Sequence, residues 1–247
     1  MRQRSVGFFG GAAALFGGVG WVATTPRIWP RALVPVATAL VLIAGLGYCG
    51  HRVATDIAHR FFGDGTVAGL AGVLLTLVAV VLAIVIAAAL AQPLSGWALD
   101  GIVRAQEREL GVAPAPAPPF FKAMLASLAS GLLGLAVGVP IVSLLTILGW
   151  LFPPAVVVTV PLKVAIAGVL LAWDLLDYPL AARDFGVGAR LKWCASHPGA
   201  VLGFGLAALA VFAVPGLGLV ALPGGAAGAV RLVSRGEAPP GARSRAV

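Results

Sequence analysis

Few residues in this chain are equipped for chemistry, and their placement is informative. Asp174 and Asp177 return two carboxylates to the chain at the end of a long, nearly uncharged run. They are three residues apart, so a helix would put them on one face. Tyr178 is an aromatic of the kind that settles at a membrane–water interface, and Pro179 is expected to discourage the helix from continuing. The stretch 173–180 thus reads as the place where a buried helix meets water. A proton relay is one use for such a pair. The structural use, which we prefer, has the aspartates capping loop N–H groups or pairing with Arg183.

A second constellation is Thr25, Arg27, Trp29 and Arg31, within a proline-rich turn just ahead of an apolar run. A dianion entering a membrane needs a basic mouth, rich in donors, that attracts without holding too tightly. These arginines make the best such mouth in the sequence. They also suit the plainer role of anchors against an anionic cytoplasmic leaflet. Glu107 and Glu109, beside Arg104 and Arg108, read as solvated charges. His51 and His59 are eight apart with mixed charges between them, and read as a solvated loop without a metal. Lys163 is the one charge embedded in an apolar hairpin, where it is either functional or snorkels to a headgroup. Cys49 and Cys194 form no Cys-x-x-Cys or cysteine–histidine pattern, so no disulfide framework or metal site is expected, and Cys49 is assigned to apolar packing. No phosphate loop, nucleophile elbow or zinc motif occurs. An enzyme is not supported, and no cofactor is expected.

The elements that would position these residues are membrane helices. Of 247 residues, 60% are hydrophobic and 11% charged, with a mean hydropathy of +1.02. Soluble chains carry about a quarter charged residues. The net charge of +8 is explained by basic flanks of apolar segments, and nucleic acid is not a partner. Residues 5–23 imitate a signal peptide but are rich in glycine and lack a clean cleavage site. A retained, partly inserted helix is favoured over a cleaved signal. Residues 32–48 form a short first span, followed by a polar loop at 50–65.

The strongest span is 66–91, whose Gly65, Gly69, Gly72, Thr76, Ala79, Ala83 and Ala87 form a small-residue face for close helix packing. Gln92-Pro93 should break it, with an amphipathic continuation at 94–110. A proline linker at 111–119 precedes an uncharged run, 123–162, interrupted at 149–154. The run reads as a hairpin of two helices, the first kinked by Pro140 and the second descending through Lys163 to the Asp174/Asp177 stretch. Residues 181–198 read as a basic loop. The last apolar region, 199–230, is cut by Pro215-Gly216 and by Pro223, which favours a re-entrant hairpin. Residues 1–235 make one membrane domain, and 236–247 a disordered tail. Arginine and lysine placement puts both termini in the cytoplasm, with two full spans and then two hairpins entering from inside.

The chain resembles the CysZ-type sulfate permeases and the etoposide-induced protein 2.4 family. The resemblance is carried by Asp177-Tyr178-Pro179 with Arg183 and Phe185, by Leu202-Gly203-Phe204-Gly205, by the turn from Val214 to Pro223, and by Ala91-Gln92-Pro93-Leu94-Ser95. It covers most of residues 20–235. It implies an all-α integral membrane protein of the bacterial inner membrane, with two long transmembrane helices and half-penetrating hairpins, which forms homo-oligomers and moves sulfate into the cell. Asp174, Asp177, Tyr178, Pro179, Arg183, Pro215, Gly216 and Pro223 are then motif residues with structural roles. The family's anion site is a Pro-Gly-x-Arg-Arg stretch, for which this chain has Pro26-Arg27-Ile28-Trp29-Pro30-Arg31. The glycine is replaced by Arg27, and the arginine pair is displaced. The expected function is therefore a permease or channel-like protein for sulfate or a similar small anion. The alternative is a non-transporting membrane scaffold of the same fold.

Overall fold

Lipid offers no partner for backbone N–H and C=O groups, so a chain this apolar must bond its backbone internally, as helices do. The computed structural model describes residues 6–113, 119–183, 185–214 and 217–236, and the described residues contain helices and no strand. The helices are α1 (Phe8–Thr24), α2 (Trp29–Ala32), α3 (Val34–Phe62), α4 (Thr66–Glu109), α5 (Phe120–Leu151), α6 (Val156–Ala182), α7 (Val187–Ser196), α8 (Pro198–Phe212) and α9 (Leu217–Gly236). Two 3-10 turns, Pro26–Ile28 and Pro153–Ala155, join α1 to α2 and α5 to α6. Four helical segments are long and apolar enough to cross a membrane: Pro26–Phe62, Thr66–Glu109, Leu128–Leu151 and Pro153–Ala182. α7 and α8 form a pair bent by 96°. This is an all-α membrane protein.

Several breaks expected from prolines and polar stretches do not occur. α3 runs on through the polar stretch 50–62, stopping only at Gly63, whose φ of 69° suits glycine. α4 passes through Pro93, α6 through Pro161 and Pro179, and α9 through Pro223. A proline inside a helix costs about 3 kcal/mol. Ending the helix in an apolar layer would leave several backbone groups unpaired at several kcal/mol each, so continuing is cheaper. Residues 187–196 of the expected basic loop are helix α7. Pro215 and Gly216 lie outside the described residues, as do residues 237–247 of the tail.

The chain divides into two compact units, residues 33–96 and residues 1–32 with 97–247. In the first, α3 packs on the small-residue face of α4. Gly50 sits against Ala79 and Gly72 against Ala58, while Ala68, Ala83 and Ala87 are buried. Cys49 is exposed, which corrects its assignment to packing.

The second unit is built on backbone-to-backbone approach. A Cβ on Gly11 of α1 would fall on the Ala200 carbonyl of α8, and one on Gly18 on Gly224 and Gly228 of α9. Gly205 of α8 sits equally tightly on the Gly168 carbonyl of α6. Such crossings need residues without side chains, and they gain dispersion contacts where no hydrophobic force separates protein from lipid. Around them Leu15, Leu99, Ile102, Leu175, Leu176, Leu180, Phe204 and Leu232 form a core with almost no exposure. The glycine-rich segment at the start of the sequence, α1, is thus an integral part of this core.

Candidate functional site

The residues expected to meet an anion occupy one tight corner. The Ile28 N–H bonds to the Thr25 carbonyl at 3.1 Å, closing the 3-10 turn, and the Thr25 N–H reaches the Val22 carbonyl at 3.4 Å. Pro26 starts the turn, where its missing N–H costs nothing. Ile28 is buried as its anchor, and Arg27, Trp29 and Arg31 are exposed. The Trp29 indole N–H donates to the Val22 carbonyl at 3.0 Å, so it holds the turn and is not free for a ligand. Arg27 and Arg31 form no ion pair among the described residues. The Arg31 stem lies over Gly101 of α4, its Cδ 3.0 Å from where a Cβ would stand. One helical turn beyond Gly101, on the same face, come Arg104 and then Arg108. The basic corner therefore draws on α4 as well as on the turn. Gly101 gives no sequence signal, since its role is to be bare where Arg31 crosses.

A layer of ion pairs lies deeper in the same unit. Arg190 of α7 donates from Nη1 to Asp177 Oδ1 and from Nε to the Phe185 carbonyl, the latter at 2.7 Å. Ser130 of α5 adds a bond to the same Asp177 oxygen at 3.1 Å. The Arg190 and Asp177 side chains are only 9% and 12% exposed, so each needs the other to remain charged there. The sequence reading pairs the aspartates with Arg183. Instead, Arg183 pairs at 3.5 Å with Glu107 of α4, whose side chain is 1% exposed. Glu107 is therefore not a solvated charge. Glu109 accepts the Trp21 indole N–H at 2.5 Å, which ties α1 to the end of α4.

Tyr178 packs against Val103, Ala226 and Val230, within Coulombic reach of Asp174 and Asp100. Pro179 and Pro223 are buried inside α6 and α9. Lys163 is half-buried in the second turn of α6, near the hairpin tip. Among the described residues there is no group of three metal-ligating side chains. His59 pairs with Asp64 at 3.0 Å, and His51 with the Thr76 hydroxyl at 3.2 Å, both on exposed surface.

The family model for the sulfate transporter CysZ/etoposide-induced protein 2.4 family matches residues 14–223, from within α1 to Pro223 in α9. The chain belongs to that family. No curated protein matches it. Membership makes this a multi-pass membrane protein of a sulfate-transporter-like family, and both the basic corner and the ion-pair layer fall within the matched residues. Arg190, Glu107 and Ser130 are the layer members that sequence reasoning does not connect. Their partners come from other helices, and no spacing along the chain reports them.

Proposed function

We propose that this protein is a permease or channel-like protein for sulfate or a similar small anion, sited in a bacterial inner membrane with both termini cytoplasmic. The observation that carries this reading is the pair Arg27 and Arg31, exposed at the head of the first span and without counter-ions among the described residues. A free guanidinium pair with Arg104 nearby supplies forked donors suited to a tetrahedral oxyanion. Exposure keeps the attraction moderate, as passage requires. Thr25 adds a hydroxyl at the same turn, and Trp29 keeps the turn in shape. The bent pair α7–α8 supports a re-entrant element, since α8 alone, at 15 residues or about 22 Å, is shorter than a hydrocarbon core of about 30 Å. The protein acts as a homo-oligomer in this reading.

The test is uptake of radiolabelled sulfate by proteoliposomes, with phosphate, sulfite and chloride as competitors. The expected outcome is saturable uptake that Arg27→Ala with Arg31→Ala abolishes while folding and insertion persist. Full uptake by that double variant would remove the corner from consideration. The second reading, a non-transporting scaffold, draws on the deeper arginines, Arg183 and Arg190, being held by carboxylates. It predicts a folded, inserted protein that takes up none of these anions.

A further inference from the structure

α5 and α6 do not close fully on one another. Between them lies a crevice of about 340 Å³, walled by Gly131, Gly134 and Gly138 of α5 and Leu170 of α6, with two polar groups, the Ser143 hydroxyl and the Asp174 carboxylate. Glycine makes the opening, since a Cβ on Gly131 or Gly134 would meet nothing within 4 Å. Asp174 lies inside the segment Pro153–Ala182, which is apolar enough to cross a membrane. Among the described residues it makes no ion pair and no hydrogen bond. Its neighbour Trp173 buries an indole N–H that has no acceptor among them.

Several charged groups stand on the surrounding elements. On α6 itself, Asp177 is held by Arg190 of α7 and Ser130 of α5. Tyr178, one turn beyond Asp174, is within Coulombic reach of Asp174 and of Asp100 of α4 but supplies no positive charge. Asp100 has Arg104 beside it. Lys163 is eleven residues, or three turns, away up the helix. α8 contains no titratable residue. On α9 the Arg231 guanidinium lies against Gly17 of α1, and Arg235 is exposed. The one titratable residue of α5 is Lys122, in its first turn, twelve residues before Gly134.

A carboxylate in apolar surroundings must be paired or neutralised. Metal cations such as calcium and magnesium require about six or more oxygen ligands, and the crevice offers side-chain oxygens from Asp174 and Ser143 only. A proton requires one oxygen. We propose that Asp174 is a proton-binding site served by the α5–α6 crevice: its carboxylate takes a proton from hydronium, giving a carboxylic acid and water. The site stands apart from the question of which anion the protein carries.

Dicyclohexylcarbodiimide tests it directly, because this apolar reagent reacts with carboxylic acids and not with carboxylates. The acid proton passes to a carbodiimide nitrogen and the carboxyl oxygen bonds to the central carbon. The resulting O-acylisourea rearranges to a stable N-acylurea. The full-length protein in bilayer vesicles is treated across a series from acidic to alkaline pH, and the adducts are located by mass spectrometry. We expect labelling of Asp174 that falls about tenfold per pH unit above its titration midpoint, with Asp177, held by Arg190, unlabelled. Asp174→Asn removes the adduct. Gly134→Leu, which fills the crevice at a position with room for a side chain, reduces labelling with Asp174 still present. Absence of the adduct at acidic pH, labelling that does not vary with pH, or equal labelling of Asp177 would each overturn the proposal.

Discussion

Removing Arg190 is the sharpest test of the ion-pair layer. Asp177 would keep only the Ser130 hydroxyl as a partner, and Arg190 without Asp177 would keep only the Phe185 carbonyl. With side chains 9% and 12% exposed, neither orphaned charge can be rescued cheaply by solvent. Breaking a buried pair from one side costs about 3–5 kcal/mol. At about 2–4 °C per kcal/mol for a chain of this size, Arg190→Ala and Asp177→Ala should each lower the unfolding temperature by about 6–20 °C. The double variant buries no unpaired charge from this pair, so its loss should fall short of the sum by about 0.5–3 kcal/mol. Thermal unfolding in detergent micelles, monitored by helical circular dichroism, reads all three. His59→Ala provides the contrast. Its pairing with Asp64 joins side chains 63% and 97% exposed, and it should leave the unfolding temperature unchanged. If Arg190→Ala behaves like His59→Ala, or if the two single effects simply add, the layer does not hold α5, α6 and α7 together and the reasoning fails.

Two further perturbations probe the packing around the site. Gly205→Ala would drive a methyl into the Gly168 carbonyl and the Ala172 side chain, so it should cost about 1–3 kcal/mol, whereas Gly45→Ala, with nothing within 4 Å, should be silent. Equal yields of folded protein from both would contradict the close α6–α8 crossing. Trp21→Phe keeps an aromatic ring but loses the donor to Glu109, an exposed residue, and should cost about 1 kcal/mol. That effect should vanish in a Glu109→Ala background, which offers the indole no side-chain acceptor. An undiminished effect there would assign the loss to packing of the ring instead.

Composition and run length are enough to place this chain in a membrane, to make it all helix, and to locate its long apolar segments, because hydrocarbon admits only chains that satisfy their own backbones. The hairpin of α5 and α6, with its break at Pro153–Ala155, is legible for the same reason. So is the small-residue face of α4, since helical periodicity sets which residues share a face. The motif residues Asp177, Tyr178 and Pro179 also point to the family that the chain belongs to.

Local rules misjudge the prolines and the polar stretches. Pro93, Pro179 and Pro223 lie inside helices because a lost hydrogen bond costs less there than an open helix end. Which charges meet is a matter of packing alone. Glu107 looks solvated among its chain neighbours until Arg183, 76 residues further along, is placed beside it. Arg190 displaces Arg183 as the partner of Asp177 because α7 is a helix, bent sharply from α8, and not a loop. Asp174, three residues from Asp177 and on the same face, faces the glycine crevice without a partner among the described residues. Spacing along a helix assigns a residue to a face, but which group meets that face depends on another helix, and only packing brings the two together.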